Sequence, residues 1–174
     1  MKNKNDIKLL NVDERESMGE SNFRRGYNCT QSVVLTFADV YGLSEDLALR
    51  VSASFGAGMG RMRMTCGAVS GMFLLAGLEN GSVIAGDLVG RGKNYETVRE
   101  LADKFKAETG SIICAELLGL NLAQMKEEGA MPSARTTEYY RKRPCPKMVG
   151  LACRIYAEFL NARVKEAESN GSEK

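Results

Sequence analysis

Histidine is absent from the 174-residue sequence, and so is tryptophan. Without an imidazole, the chain has no Cys–His or Ser–His nucleophile pair and no metal site with a histidine ligand. Six Phe and six Tyr leave few aromatic surfaces on which bases or sugars could stack. The 24 basic residues nearly balance the 22 acidic ones, so charge gives no reason to expect a nucleic acid or an anionic membrane as partner. We therefore expect side-chain chemistry to depend on thiols or carboxylates.

Long hydrophobic runs are also lacking. The longest apolar stretch, residues 64–78, has only fifteen residues, whereas a membrane-spanning helix needs about 20. We therefore expect a buried central helix and no membrane span. The charged N-terminus has no apolar signal region, and the number of cysteines is odd. Both features predict a cytoplasmic protein whose thiols stay reduced.

The pattern of hydrophobic residues predicts helices over nearly the whole chain. Asn28 is a candidate N-cap because Gln31 follows three residues later, and Ser44 and Asn94 are further candidate caps. Gly42 and Gly110 are candidate helix ends. The fold class expected from this pattern is all-α.

We predict a single domain, residues 1–174, in which a compact helical bundle surrounds an apolar central helix containing Phe73. Charged residues at 1–10 and 167–174 indicate frayed ends. The segment 119–143 is the least regular, with a helix indicated over residues 121–128. The outer amphipathic helices favour a homodimer.

Four of the five cysteines lie at predicted helix starts, where unpaired N–H groups and the helix dipole stabilise a thiolate. They are Cys29, Cys66 after the candidate cap Thr65, Cys114 after Ser111, and Cys145 before Pro146. The thiolate is both the nucleophilic and the metal-binding form. Arg61 and Arg63 precede Cys66, so Cys66 is predicted to be the most easily alkylated thiol.

The other cysteine, Cys153, lies on an apolar helix face and is predicted to be the slowest to react. The cysteine spacing matches no zinc-ribbon or ferredoxin pattern, and no CxxC is present.

Gly67 and Gly71 lie four residues apart and would let another backbone approach closely. The Gly-rich run 56–60 is expected to be a flexible turn that brings Cys66 towards the other thiols.

Taken together, these segments resemble the redox-active protein family C_GCAxxG_C_C over about residues 22–162. The matching segments are Asn28-Cys29-x-Gln31, Cys66-Gly67-Ala68-x-x-Gly71, Cys114 followed by Glu116-Leu117-Leu118-Gly119, a late Cys145, and the run from Phe55 to Arg61. The resemblance implies a small helical protein that is redox-active through four cysteines, with a functional link to a transporter. If the last cysteine of the family pattern aligns with Cys153, then Cys153 takes the place of Cys145 in the predicted site.

Three functions are consistent with these residues. In the first, Cys29, Cys66, Cys114 and Cys145 converge to form a cofactor-free redox or electron-transfer site, with activity like that of a thiol–disulfide oxidoreductase. Cys66 would attack or be oxidised, and a neighbouring cysteine would resolve it. In the second, the same four thiolates hold an Fe–S cluster or Zn. In the third, the thiols are inert core residues of a helical interaction protein. The redox partner or thiol substrate is unknown.

Overall fold

The computed structural model describes residues 8–121, 123–124 and 129–171, with side chains as far as residue 169. Over these residues the chain forms helices joined by turns and loops, and its one β-type contact is an isolated bridge between Thr65 and Ile113. The expected all-α fold is confirmed. In chain order the elements are α1 (Val12–Arg24), α2 (Cys29–Thr36), α3 (Ala38–Tyr41), α4 (Glu45–Ser52), a 3₁₀ turn (Ala53–Phe55), α5 (Gly56–Met59), α6 (Gly67–Asn80), α7 (Leu88–Thr109), α8 (Cys114–Leu117), α9 (Thr137–Lys142) and α10 (Cys145–Gly171).

Several helix boundaries follow directly from capping residues. Asn28 and Gln31 form the expected capping box, in which each side chain bonds to the backbone of the other residue. The Ser44 side chain accepts a hydrogen bond from the backbone N–H of Leu47. Gly42 and Gly110 end their helices in the left-handed conformation.

Other boundaries differ from the expectation. Helix α7 begins at Leu88, because the Asp87 side chain accepts a hydrogen bond from Gly90 N–H and caps it. Asn94, the expected cap, instead donates to the carbonyl oxygen of Ala76 in α6. Cys66 itself is the N-cap of α6, and Thr65 belongs to the bridge.

The chain ends also differ in part from the expectation. Helix α1 is not among the predicted helices, and α10 continues through residues 167–171, where the charged sequence predicts fraying. Most of the helix indicated over residues 121–128 lies outside the described residues, as do residues 1–7.

Helix α6 lies against α2, α7 and α10, as its apolar composition predicts. Met72 and Leu75 are fully buried, but Phe73 is only partly buried. The central position is shared with α10, in which every residue from 149 to 160 is buried except Arg154 and Glu158. Within the described part of the chain, none of the helices combines the length and apolarity needed to cross a bilayer.

The two glycines of α6 allow helix α2 to approach closely. A Cβ on Gly71 would lie 2.7 Å from the Cβ of Val33, and a Cβ on Gly67 would lie 3.0 Å from the Cβ of Cys29. The hydroxyl of Thr30 also donates to the carbonyl oxygen of Gly67 at 2.8 Å. The predicted close approach is confirmed, and it brings Cys29 beside the start of α6.

Candidate functional site

The four cysteines expected to converge are in mutual electrostatic contact. Cys29 is the first residue of α2 and Cys145 is the first residue of α10, and the two thiols are hydrogen-bonded to each other. Negative charge on Cys66 or Cys114 also raises the pKa of Cys29. Helix starts that are far apart in the sequence therefore meet at one thiol cluster.

Backbone pairing holds the two inner cysteines in place. Cys66 N–H donates to the carbonyl oxygen of Ile112, and Cys114 N–H donates to that of Met64, each at 2.7 Å. These bonds flank the Thr65–Ile113 bridge. Both thiols are buried, with 7% of Cys66 and 6% of Cys114 exposed. Cys66 and Cys114 therefore lie beneath the surface, whereas Cys29 and Cys145 are partly exposed.

A left-handed turn, residues 57–61, precedes this pairing; it includes all of α5 except Gly56, so α5 is not a regular right-handed helix. Its five φ angles lie between +56° and +72°, although only two of the five residues are glycine. Each non-glycine residue in this conformation costs roughly 1–2 kcal/mol. A Cβ on Gly58 would lie 2.7 Å from the Cβ of Cys114, and Gly58 accepts a hydrogen bond from Met64 N–H. The glycine-rich run is thus a fixed turn against Cys114.

Cys145 has the lowest thiol pKa of the cluster. The hydrogen bond from Cys29 is the main cause that lowers its pKa, and burial opposes it. The positive charges of Arg143, Arg135 and Arg63 lower the pKa further, to about 7. The same hydrogen bond, together with burial, raises the pKa of Cys29. At pH 7, Cys145 is therefore a thiolate in about half of the molecules, and Cys29 donates a hydrogen bond to that thiolate.

The surroundings of Cys66 differ from those expected from the sequence. Burial raises its pKa to about 12, although the N–H groups of Ala68 and Val69 at the start of α6 lower it. The helix-start effect is therefore present, but desolvation outweighs it. Arg63, expected to assist Cys66, instead places Nη1 3.9 Å from the sulfur of Cys114. Arg63 lowers the pKa of Cys114, but the opposing effect of burial is larger, so the pKa of Cys114 is raised.

Cys153 lies apart from the cluster. It is fully buried, and a Cβ on Gly19 of α1 would lie 2.4 Å from its sulfur. Burial raises its pKa to about 12, and the groups that modify this value are Thr36, Glu16 and Arg15. Cys153 is therefore a packing residue between α1 and α10, as its apolar helix face predicted.

Cys29 and Cys145 open onto a cavity of about 370 Å³, which we call the thiol cavity. Its other lining residues include four arginines and one aromatic ring: Arg61, Arg63, Arg135, Arg143 and Tyr139. Arg135 and Tyr139 are not indicated by the sequence, because they lie in the segment without clear periodicity. Arg143 belongs to a basic run whose proximity to Cys145 was the available signal.

Among the described residues, no group of three or more Cys, Asp or Glu residues is placed to hold a metal ion. The hydrogen-bonded pair of Cys29 and Cys145, with the two other thiols buried behind it, instead suits chemistry between thiols.

The comparison with protein-family models identifies the family of the chain. The model of the family described as "Putative redox-active protein (C_GCAxxG_C_C)" matches residues 27–159, which include all five cysteines. No curated protein and no solved structure matches the chain at a significant level. The family match spans more than half of the chain and agrees with the resemblance seen in its cysteine motifs. The chain belongs to the C_GCAxxG_C_C family.

Proposed function

We propose that this protein is a thiol–disulfide redox protein in which Cys145 is the attacking thiolate and Cys29 is the resolving thiol. The observation that carries the proposal is the hydrogen bond between these two thiols at the wall of the thiol cavity. A thiolate with a pKa near ambient pH combines a high ionised fraction with high nucleophilicity. The neighbouring thiol is in place to attack a mixed disulfide.

The reaction proceeds in two exchange steps. The Cys145 thiolate attacks one sulfur of a disulfide substrate, forming a mixed disulfide and releasing the other substrate sulfur as a thiolate. Cys29 then loses its proton to solvent and attacks the Cys145 sulfur. This forms the Cys29–Cys145 disulfide and releases the second substrate thiolate. The substrate disulfide gains two electrons and the protein loses two; a dithiol reductant reverses the change.

Cys66 and Cys114 remain part of the proposed site, as neutral thiols beside the reacting pair. Their raised pKa values keep them protonated near neutral pH. If either of them were ionised, it would add negative charge to the cluster. That charge would raise the pKa of Cys29, the hydrogen-bond partner of Cys145. Their burial therefore favours a single thiolate, at Cys145.

Four predictions about context belong to the proposal. The protein is cytoplasmic, where its thiols are kept reduced, and it has an enzyme-like role towards an unidentified redox partner. It forms a homodimer, which light scattering would detect as a particle of about twice 19.0 kDa. The family resemblance further implies a functional link to a transporter.

Limited oxidation tests the proposal. The reduced protein is treated with one equivalent of a thiol oxidant at pH 7, the remaining thiols are alkylated, and the linked peptides are identified by mass spectrometry. We expect a Cys29–Cys145 disulfide, unchanged in the matched control Cys153→Ala and lost in Cys29→Ala and Cys145→Ala. A disulfide confined to other cysteines, or none in the folded protein, would overturn the assignment.

A further inference from the structure

We propose that the thiol cavity binds a small anion of the carboxylate, phosphate or sulfate class beside Cys29 and Cys145. For the redox reaction this names the substrate class: a small disulfide that carries such an anionic group. The identification of the substrate class rests on the proposed function, whereas the anion site does not depend on that function.

The cavity has the size and the charge for such a ligand. Its volume of about 370 Å³ lies in the range of sites for small molecules, ~300–1,000 Å³. Four arginines line it, and within the described part of the chain no Asp or Glu does. Arg135 and Arg143 supply two positive charges against the one negative charge of the Cys145 thiolate, so these three groups leave an excess of positive charge at the cavity wall. A cleft lined by one sign of charge raises the local concentration of the opposite ion.

Arg135 is held in place but is incompletely hydrogen-bonded. Its guanidinium lies 4.2 Å from the centre of the Phe23 ring and 4.9 Å from that of Tyr139, and Nη2 donates to the carbonyl oxygen of Tyr27. Its Nη1 is buried and has no hydrogen-bond partner among the described residues. A buried donor without a partner is costly, and an anionic oxygen is the strongest acceptor for it.

Arg143 completes this arrangement. Its guanidinium lies 5.1 Å from the centre of the same Tyr139 ring, so one aromatic side chain supports two of the cationic groups. Arg143 also precedes Cys145 by two residues and lowers the pKa of its thiol. An anion bound between Arg135 and Arg143 is therefore next to the attacking sulfur.

Two alkylating reagents of similar size test this inference. Iodoacetate and iodoacetamide both lose iodide to a thiolate, but only iodoacetate is an anion. We expect the ratio of their rate constants at Cys145, iodoacetate over iodoacetamide, to exceed the ratio for N-acetylcysteine by about tenfold or more. Sulfate should slow the iodoacetate reaction in a saturable way, at constant ionic strength.

Charge-removing variants locate the site. Arg143→Gln and Arg135→Gln should each lower the ratio by about threefold, the effect of one charge some 6 Å away in water. Because both reagents need the thiolate, a change in the pKa of Cys145 cancels in the ratio. Arg50→Gln, which removes an exposed arginine paired with Asp46, is the matched control and should leave the ratio unchanged. If Arg135→Gln fails to fold, Arg143→Gln keeps the test decisive.

The outcomes separate this inference from the proposed function. A high ratio in a protein that forms no Cys29–Cys145 disulfide supports the anion site and overturns the redox assignment. A ratio equal to that of N-acetylcysteine, unaffected by either variant, overturns the anion site even if the disulfide forms.

Discussion

At the scale of single residues, the reactivity of each thiol is set by the competition between burial and the partners of its sulfur. Cys66 and Cys145 both lie at helix starts, but burial raises the pKa of Cys66 to about 12. The hydrogen bond from Cys29 and nearby arginines lower that of Cys145 to about 7. Cys145 therefore replaces Cys66 as the thiol expected to react first.

The pH dependence of alkylation tests this order. With iodoacetamide, the rate at Cys145 should rise to a plateau with a midpoint near pH 7, because only the thiolate reacts. Cys29→Ala removes the hydrogen bond and should move the midpoint upwards, with a roughly fivefold lower rate at pH 7 for the first unit of increase. Mass-resolved alkylation gives both values.

Cys153→Ala is the control for this experiment and should leave the Cys145 midpoint in place. Cys153 itself should react most slowly in the native protein, because it is fully buried with a pKa of about 12. Reaction at Cys66 or Cys153 before Cys145 would contradict the order.

The positions of the cysteines at helix starts could be predicted from the sequence, because caps such as Asn28 and Gln31 are local signals. The burial of Cys66 could not, since it depends on the pairing of segments about fifty residues apart in the chain, Met64–Cys66 with Ile112–Cys114. Arg135 and Tyr139 could not be predicted for the same reason: only the folded chain brings them to the thiols.

At the scale of helices, the thiol cluster depends on how closely α2 lies against α6. The contact is made at Gly67 and Gly71, where an added Cβ would be within 3.0 Å of α2 side chains. The spacing of these glycines predicted the close approach, but it could not identify α2 as the neighbour.

Gly71→Ala should destabilise the protein by about 1–3 kcal/mol, because its Cβ would lie 2.7 Å from the Cβ of Val33. The matched control is Gly92→Ala in α7, where an added Cβ meets nothing within 4 Å. That substitution should stabilise the helix by roughly 0.5–1 kcal/mol. Denaturant unfolding under reducing conditions measures both. Equal effects would show that α2 is not in close contact with α6.

Core positions on α6 provide a second test at this scale. Met72 is fully buried, so Met72→Ala should cost about 2–5 kcal/mol of unfolding free energy. Phe73, expected from the sequence to be a core residue, is only partly buried, and Phe73→Ala should cost less than Met72→Ala. The reverse order in the same unfolding experiment would place Phe73, rather than Met72, in the centre of the core.

At the scale of the whole molecule, buried cysteine thiols and tyrosine hydroxyls make the free energy of unfolding fall at alkaline pH. Cys66 and Cys153 have pKa values of about 12 in the folded chain, against an ordinary value of 9.0. Their stabilising contribution is present below pH 9 and is lost as the pH rises towards 12. Burial also raises the pKa of Tyr41 and Tyr156, which adds to the loss. Cys145 acts oppositely: its lowered pKa gives a stabilising contribution that is fully present above pH 9 and is lost as the pH falls towards 7.

The free energy of unfolding should therefore fall between about pH 9 and pH 10.5 in the presence of a reductant. Cys153→Ala should reduce this fall by about 2 kcal/mol, because it removes one buried thiol that ionises only on unfolding. Comparing the two pH values within each variant cancels the cost of the smaller side chain. A fall as large in Cys153→Ala as in the unmodified protein would show that this thiol does not resist ionisation.

A redox titration of the intact protein tests the central claim most directly. The protein is equilibrated with a dithiol–disulfide buffer over a range of potentials, and the redox state of each cysteine is read by mass-resolved alkylation. We predict one reversible two-electron transition in which Cys29 and Cys145 change together, with a tenfold change in ratio per ~30 mV. A transition that persists in Cys145→Ala, or the absence of any transition at Cys29 and Cys145, would contradict the account.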